Sequence, residues 1–250
     1  MKPEALAVII PAMNEADLVG DCLDAVITAV SGNRVPVAIV LVAHHCSDDT
    51  ETVVRKRFSK LSGLVEGMVV RLDRGSVATA RSTGTMAGLY LLAAYGVPFD
   101  RTWLLSTDAD SRVPADWIDR YRRRMDRRTA ALTGLVHVSG CENENTQDDA
   151  HEAYHHLMRT TGPHAYAANL AVRADAYLDV GGWPDQVPGE EHALLEALRH
   201  NHWPVVPVPD NVVTTSGRDT PRAPGGLGEL LGRLRATHAG VPRQALRSRP

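Results

Sequence analysis

The segment LLSTDADSRVPADW, residues 104–117, contains an apolar run that ends directly in two acidic residues, Asp108 and Asp110. The run from Thr102 to Ser106 predicts a buried strand, and open α/β sheets bind ligands at the carboxyl ends of such strands. Residues i and i+2 of an extended segment face the same side, so both carboxylates can converge on one divalent cation, Mg²⁺ or Mn²⁺, that bridges a diphosphate. The alternative is that an acidic residue here only caps the helix that begins at Pro114.

Three apolar runs precede this segment and alternate with longer amphipathic stretches, which is the pattern of βαβ units on a parallel sheet. The predicted strands run from Leu6 to Pro11, Val37 to Ala43 and Met68 to Leu72. Of the predicted helices, the first runs from Ala16 to Val30, the second follows the loop HHCSDDT and runs to about Lys60, and the third runs from Ser76 to about Ala94. This order predicts an α/β fold with a Rossmann-like, mostly parallel central sheet flanked by helices.

The second half leaves this regular alternation. The predicted elements are a helix from Pro114 to Arg128, a strand from Ala130 to Val138, a helix near Asp149 to Thr160, a short strand from Asn169 to Val172, a helix from Glu190 to His200, and two strands near Val205 and Val212. From Leu230 onward the sequence has no acidic residue, so we predict a basic and flexible tail.

The composition excludes several classes of protein. A chain of 250 residues with 44% hydrophobic and 23% charged residues is typical of a folded, enzyme-sized domain. The net charge of -3 gives no global basic field for nucleic acid. Three scattered cysteines argue against a disulfide framework and a zinc ribbon. No apolar run reaches the length of a membrane span, so we expect a cytoplasmic protein and leave peripheral membrane contact open.

Several short motifs occur in a fixed order around the acidic pair. They are IIPAMNE in the first strand, HHCSDDT after the second, GSVATARSTG before TDADSRVP, then GGW, GEEHALLEAL and TTSGR, over roughly residues 5–230. Each is weak alone, but together they resemble the family 2 glycosyltransferases, which have the GT-A fold. The resemblance implies a domain at 1–230, with a nucleotide-binding half at about 1–112, an acceptor half at about 113–230, and a tail at 231–250.

The resemblance implies an enzyme that moves a sugar from a nucleoside-diphosphate sugar to a hydroxyl or other nucleophile of an acceptor. It implies inversion and dependence on a divalent cation held by Asp110 and Asp108. The nucleotide-sugar site would consist of Pro11, Asn14, Glu15, His44, Arg81, Asp108, Ala109, Asp110 and Arg218. Of these, Glu15 would approach the base and ribose, and Arg81 would pair with the diphosphate as a charged donor.

The loop after the second strand departs from the family pattern. Family members commonly place there an aspartate that accepts from the imide N–H of uracil, and the alignment on SDDT puts His44 at that place. A neutral imidazole can accept this hydrogen bond but can also donate or stack, so the base stays open among uracil, thymine and guanine.

The family resemblance also implies a catalytic base. Similar proteins use the aspartate of an acidic pair just before a helix, and here the pair is Glu190 and Glu191, with Glu191 at the aspartate position. A carboxylate there would deprotonate the acceptor hydroxyl as the hydroxyl attacks the sugar. Alternatively, the two acids only favour the amino end of their helix.

The remaining candidates concern the sugar or acceptor side. They are His164, Tyr166 and Asn169, which precede a predicted strand, and Trp183, which could stack on a sugar or belong to the core. Two other functions remain open, a sugar-nucleotide pyrophosphorylase and a catalytically silent GT-A binding or scaffold protein. The sequence shows neither the acceptor nor the oligomeric state.

Overall fold

The computed structural model describes residues 2–139, 166–185 and 189–217. Nearly all of them belong to one compact unit, formed by residues 1–137 and 165–215. A second unit comprises residues 138–164 and 216–250, of which only four residues are described. The predicted helix near residues 149–160 and the basic tail lie outside the described residues, and the domain limits stay a prediction.

An eight-stranded sheet forms the centre of the first unit, in the order β3-β2-β1-β4-β7-β6-β8-β5. The strands are β1 (Ala5–Ala12), β2 (Val37–His44), β3 (Val65–Leu72), β4 (Thr102–Ser106), β5 (Ser111–Arg112), β6 (Ala131–Ser139), β7 (Leu170–Arg173) and β8 (Val205–Ser216). The strands from β3 to β4 are parallel, whereas β7 is antiparallel to β4 and β6 is antiparallel to β7. The predicted parallel α/β core is therefore confirmed.

Helices cover both faces of the sheet. They are α1 (Val19–Val30), α2 (Thr50–Phe58), α3 (Val77–Ala93), α4 (Trp117–Arg122), α5 (Ala174–Asp179) and α6 (Glu190–His200), with short 3₁₀ turns at Phe99–Arg101 and Ala167–Asn169. Strands β1 and β2 are buried along their whole length, as expected for central strands that are covered on both faces. In the part of the chain that the structure describes, no helix has the length and apolar character needed to cross a bilayer.

Two predicted elements are wrong in their extent. The helix predicted from Pro114 to Arg128 is only Trp117–Arg122, and the residues after it form turns. In the last of these turns the Asp126 carboxylate accepts hydrogen bonds from the Arg128 N–H at 2.8 Å and from Thr129 Oγ1 at 3.1 Å. Such local bonds hold the chain in a turn.

The two strands predicted near Val205 and Val212 are the single strand β8. Its prolines, Pro207 and Pro209, are two residues apart and exposed, so their missing N–H groups point to the same side of the strand.

Candidate active site

The candidate active site lies where the parallel strands end. β1 ends at Ala12, β2 at His44, β3 at Leu72 and β4 at Ser106, in register across the sheet. The loops that follow these strands carry most of the predicted site residues. We call this edge the carboxyl edge.

Asp108 and Asp110 follow β4 in a tight turn. The Ser111 N–H donates to the Asp108 carbonyl at 3.0 Å, which closes a four-residue turn, and Ala109 inside it is buried in the core. The expectation of an extended segment is therefore wrong, and it is the turn that keeps both carboxylates at the carboxyl edge. Cys22 of α1 donates from Sγ to the same carbonyl at 3.3 Å. Burial, followed by the charges of the two aspartates, raises the pKa of this thiol and keeps it protonated.

Two hydroxyl groups orient the Asp110 carboxylate. Oδ1 of Asp110 accepts from Thr215 Oγ1 at 3.2 Å and lies 3.4 Å from Ser111 Oγ, and these hydroxyls are 2.9 Å apart. Ser111 and Thr215 also pair across strands β5 and β8. The short antiparallel pair therefore fixes the second carboxylate of the motif.

Helix α3 reaches the carboxyl edge because it packs very close to the sheet. A Cβ at Gly84 would lie 2.8 Å from Ile9 Cγ2 and 2.9 Å from Val42 Cγ2, so only glycine fits at this distance. Ser76 begins the helix with a capping box, in which it and Thr79 exchange hydrogen bonds between side chain and backbone. The close packing places Arg81, near the start of α3, beside the end of β4.

Arg81 is a buried cation with three side-chain partners. Its Nη2 donates to Asp108 Oδ1 at 2.6 Å, its Nη1 to Ser106 Oγ at 2.6 Å, and its Nε to Glu190 Oε1 at 3.4 Å. Burial lowers the pKa of Arg81, but the charges of Asp108 and Glu190 outweigh this effect and raise it. The guanidinium therefore joins the turn after β4 to the start of α6.

The two acids at the start of α6 have different surroundings. The Glu190 side chain is 8% exposed, and burial raises its pKa in spite of the Arg81 charge. Glu191 is 18% exposed and its Oε1 lies 3.3 Å from His192 Nδ1. Burial raises the pKa of Glu191 as well, but the hydrogen bond from His192 and the helix backbone outweigh it and lower the pKa. Glu190 is therefore a buried counterion of Arg81, whereas the Glu191 side chain is more accessible to solvent.

The segment around Trp183 closes one side of this cluster. The Trp183 ring lies 5.5 Å from the Arg81 guanidinium carbon and packs on the core cluster under α3 and α6. Asp185 accepts from Ser76 Oγ at 2.8 Å. Trp183 is half-buried and packs partly on the core, and its stacking on a sugar stays a prediction.

The loops after β1 and β2 are tied together by side-chain to backbone hydrogen bonds. Asn14 has a φ of 54° and accepts from the Ser47 N–H at 2.8 Å through its Oδ1. Asp48 accepts from the Ala16 N–H at 3.0 Å, and Thr50 Oγ1 accepts from the Glu15 N–H at 2.8 Å. Pro11 lies buried within β1, and Glu15 is 6% exposed. Asn14 therefore shapes the loop through its side-chain oxygen.

His44 is the last residue of β2 and is 9% exposed. Its Nε2 lies 2.7 Å from the carbonyl oxygen of Gly75, and His45 Nε2 lies 3.3 Å from the same oxygen. A carbonyl can only accept, so Nε2 of His44 carries the proton and Nδ1 is the acceptor in the neutral ring. The structure thus leaves Nδ1, and not Nε2, to accept from a base, and the role of His44 stays a prediction.

Asn169 has a structural role instead of the predicted role beside the sugar. It is fully buried, and its Oδ1 accepts from Trp117 Nε1 at 2.9 Å and from Tyr121 OH at 2.6 Å. Its Nδ2 donates to the carbonyls of Leu135 and Asn211, both at 2.8 Å. These four bonds satisfy the amide completely. Tyr166 is half-buried beside the 3₁₀ turn that contains Asn169, whereas His164 and Arg218 lie outside the described residues.

Three contributors to the site were not predicted. Ser106 accepts from Arg81, Thr50 connects the loops after β1 and β2, and His192 holds the Glu191 carboxylate. Thr50 could have been found from the pattern Ser-Asp-Asp-Thr, which is typical of side-chain to backbone turns. The contacts of Ser106 and His192 could not be predicted from the sequence. The partner of Ser106 is distant in the chain, and the contact of His192 with Glu191 depends on the rotamers of the two side chains.

The family model "Glycosyltransferase like family 2" matches residues 3–233, which include every described element. The chain belongs to this family. Among curated proteins, none has a significant sequence match to this glycosyltransferase-like chain.

Solved structures show the same fold. S. aureus TarS 1-349 has 13% identity and a TM-score of 0.57, and the match covers 87% of this chain and 61% of the TarS 1-349 chain. The mannosyltransferase PcManGT from Pyrobaculum calidifontis has 15% identity and a TM-score of 0.61, with coverages of 98% and 78%. Glucosyl-3-phosphoglycerate synthase from Mycobacterium tuberculosis has 16% identity and a TM-score of 0.56, with coverages of 96% and 80%. These likenesses confirm the predicted GT-A fold.

Proposed function

We propose that this chain transfers a glycosyl group from a nucleoside-diphosphate sugar to a hydroxyl or other nucleophile of an acceptor, with inversion and with a divalent cation. The observation that carries the proposal is the contact of Arg81 with both Asp108 and Glu190, at 2.6 and 3.4 Å. It gathers the acidic turn after β4 and the acidic start of α6 into one cluster at the carboxyl edge. An inverting transfer needs both parts, one for the leaving group and one for the acceptor.

The donor class is supported by what structural neighbours bind. A TarS structure contains UDP-GlcNAc, and the mannosyltransferase structure contains GDP-Man and Mn²⁺. The two donors have different bases and sugars but the same diphosphate. We therefore propose a nucleoside-diphosphate sugar as donor, with uracil, thymine and guanine as the bases to test. His44 and Glu15 are the residues that would face the base and ribose.

The carboxylates at the end of β4 fit a hard divalent cation. Mg²⁺ and Mn²⁺ are commonly held by one or two carboxylates together with oxygens of a bound phosphate. Asp110, oriented by two hydroxyl groups, would be the main ligand, and Asp108 the second. Among the residues that the structure describes, no group of three His, Cys, Asp or Glu side chains could hold a metal, so the diphosphate would complete the site. When bound, the cation would neutralise charge on the leaving diphosphate.

Glu191 is the proposed base. Glu190 is buried and its carboxylate is bound to Arg81, so it balances the buried cation. Glu191 is more exposed, and its lowered pKa keeps the carboxylate ionised and able to accept a proton near neutral pH. The acceptor hydroxyl would lose its proton to Glu191 as its oxygen attacks the anomeric carbon from the face opposite the leaving diphosphate.

Product analysis tests this function. The full chain is incubated with Mn²⁺ and UDP-, GDP- and dTDP-sugars, with and without pyrophosphate, and the nucleotide products are separated by mass spectrometry. A transferase releases a nucleoside diphosphate, slowly to water and faster to a true acceptor. Formation of a nucleoside triphosphate and a sugar phosphate only when pyrophosphate is present would show a pyrophosphorylase. Binding of a donor without any turnover would show a silent GT-A domain.

A further inference from the structure

The edge of the sheet opposite the candidate active site is basic. We define the basic edge as the segments that precede the strands, residues 2–4, 34–36, 60–64, 95–101 and 123–130, with the last turn of α2. Backbone hydrogen bonds from Glu4 to Arg101, from Leu6 to Pro36 and from Val37 to Leu64 show that these strand starts lie side by side. The start of β6 joins them, because Trp103 at the start of β4 pairs with Arg173, and the Arg173 N–H donates to the Ala130 carbonyl.

All three lysines of the chain lie at this edge. Lys2 precedes β1, and Lys56 and Lys60 stand at and just after the last turn of α2. All three side chains are exposed. A sequence that uses arginine almost everywhere thus places its few lysines in one region of the fold.

Five exposed arginines add to this charge. Arg34 lies in the turn before β2, next to Asn33, which accepts a hydrogen bond from Arg122 of α4. The other four follow α4 and are Arg123, Arg124, Arg127 and Arg128. Among the described ion pairs, none involves these five arginines or the three lysines. Guanidinium groups without a carboxylate partner are well suited to bind phosphate oxygens.

Fewer carboxylates share the edge, and most are engaged within the protein. Glu4 pairs with Arg101 at 2.9 Å, and Glu66 accepts from the Tyr95 hydroxyl at 2.6 Å. Asp126 accepts hydrogen bonds from the Arg128 N–H and Thr129 Oγ1, and Asp100 is exposed. The basic edge is therefore positive, although the whole chain has a net charge of -3.

Exposed apolar side chains lie among these cations. Leu64 is 41% exposed directly before β3, Phe99 is 50% exposed at the start of the 3₁₀ turn that precedes β4, and Tyr95 is 37% exposed after α3. An exposed leucine has no use against a phosphate or a nucleobase, but it can insert at the boundary between lipid headgroups and acyl chains. Cations combined with apolar side chains supply the two signals that stable attachment to an anionic membrane requires.

We propose that the basic edge binds the surface of an anionic phospholipid bilayer. The arginines and lysines contact the lipid phosphates, and Leu64 and Phe99 enter the headgroup region. β1 is eight residues long, so at about 3.3 Å per residue the carboxyl edge stays roughly 25 Å from the lipid. The candidate active site then remains open to a soluble donor while the protein is attached.

Vesicle sedimentation tests the proposal on the full chain. The probes are vesicles of pure phosphatidylcholine and vesicles in which about a third of the lipid is phosphatidylserine. The wild-type protein binds only the anionic vesicles, and the binding weakens as salt is added. Each removed cation lowers the partition coefficient about fivefold, so Arg123→Ala with Arg124→Ala lowers it roughly 25-fold.

Matched variants keep the experiment decisive. Arg71→Ala with Arg74→Ala removes the same charge at the carboxyl edge and leaves vesicle binding unchanged. Leu64→Ser with Phe99→Ser keeps all charges but weakens binding to the anionic vesicles. Thermal unfolding confirms that each variant is folded. The proposal is overturned if the wild-type protein does not bind the anionic vesicles. It is also overturned if the two double arginine variants lose vesicle binding to the same extent. The proposal is also overturned if Leu64→Ser with Phe99→Ser binds the anionic vesicles as well as the wild-type protein does and if the wild-type protein binds an RNA of similar charge equally well. That result would indicate a general polyanion site.

Discussion

The guanidinium of Arg81 lies 2.6 Å from the Asp108 carboxylate and 3.4 Å from the Glu190 carboxylate. The three charges come from α3, from the turn after β4 and from the start of α6, so three distant parts of the chain meet at this cation. Because Arg81 and Glu190 are both buried, the pair is stable only while both charges are present. The cluster therefore couples the integrity of the site to the stability of the fold.

Removing the Arg81 charge should destabilise the protein. Arg81→Met leaves the buried Glu190 without its cation, and the free energy of unfolding should fall by about 3 kcal/mol in chemical denaturation. Arg81→Lys keeps the charge but not the three-way geometry, so it should lose less stability and still lose donor affinity. Equal stability of the wild-type protein and Arg81→Met would show that the cluster is not important for the fold.

Asp110 should control metal-dependent binding of the donor. Calorimetry with UDP and GDP in the presence of Mn²⁺ should show strong loss of binding for Asp110→Ala, because the oriented carboxylate is gone. Asp100→Ala removes an exposed carboxylate from the opposite edge and serves as the control. If Asp110→Ala binds like the control, the metal is held elsewhere.

The His192 side chain should set the acidic limb of the pH profile. Its hydrogen bond helps to lower the pKa of Glu191, against burial, and the same contact raises the pKa of His192. Without the hydrogen bond and charge of His192, the Glu191 pKa rises relative to that in the wild-type protein. In His192→Gln the fall in kcat/KM on acidification should therefore begin at a higher pH than in the wild-type protein. An unmoved acidic limb would mean that Glu191 is not the titrating group.

The same pair adds a pH-dependent part to stability. Glu191 has a lowered pKa in the folded state, so its contribution is present above the unfolded pKa and is lost as the pH falls through the folded value. His192 has a raised pKa, so its contribution is present below its unfolded pKa and is lost as the pH rises through the folded value. Denaturation curves of the wild-type protein and His192→Gln should therefore differ most between these two limits, at mildly acidic pH. If the difference in unfolding free energy between the two proteins is the same at every pH, the ion pair of Glu191 and His192 does not contribute to stability.

The parallel half of the fold could be predicted because its strands are local and continuous in sequence. Strands β1 and β2 are uninterrupted apolar runs, and β4 ends in the acidic turn that fixes the carboxyl edge. The length of β8 could not be predicted, because a strand with two prolines depends on which side of the strand the missing N–H groups face. The short extent of α4 was not foreseen, because the residues after Arg122 form turns, and the last of these is held by side-chain bonds of Asp126.

The sequence predicts which motifs reach the carboxyl edge better than it predicts the contacts among them. The placement of Asp108, Asp110, Arg81 and the acids of α6 near this edge follows from the order of motifs, whereas the turn at Asp108 does not. That Arg81 binds Glu190 could not be foreseen, because the two residues are 109 positions apart and meet only through the packing of α3 and α6 against the sheet. Asn169 was misjudged for a similar reason, since four partners from separate elements satisfy its amide.

Replacing Asn169 should affect stability and not substrate affinity. Asn169→Ala leaves the buried Trp117 Nε1 and Tyr121 hydroxyl groups without an acceptor, which should cost at least about 3 kcal/mol in unfolding free energy. At low temperature, the Asn169→Ala protein that is still folded should have the same KM for the donor as the wild-type protein. A raised KM with normal stability would return Asn169 to the sugar-binding side.

His44 should influence the choice of base. His44→Asp adds the carboxylate that the family resemblance implies at this place, so dissociation constants for UDP and dTDP should fall relative to that for GDP. The change also removes the N–H donor to the Gly75 carbonyl, so His44→Phe is the control for loss of that bond alone. Unchanged base preference in His44→Asp would place the residue outside the base site.

The most direct test of the central claim measures donor binding and turnover in Glu191→Gln. This change keeps the shape of the side chain and removes only its ability to accept a proton, so donor affinity should stay at the wild-type level while release of nucleoside diphosphate falls at least 100-fold, on the order of the loss of a general base. Glu191→Asp, which has a shorter side chain, should keep measurable turnover. Wild-type turnover in Glu191→Gln, or its loss only in Glu190→Gln, would contradict the assignment of Glu191 as the base of a glycosyl transfer.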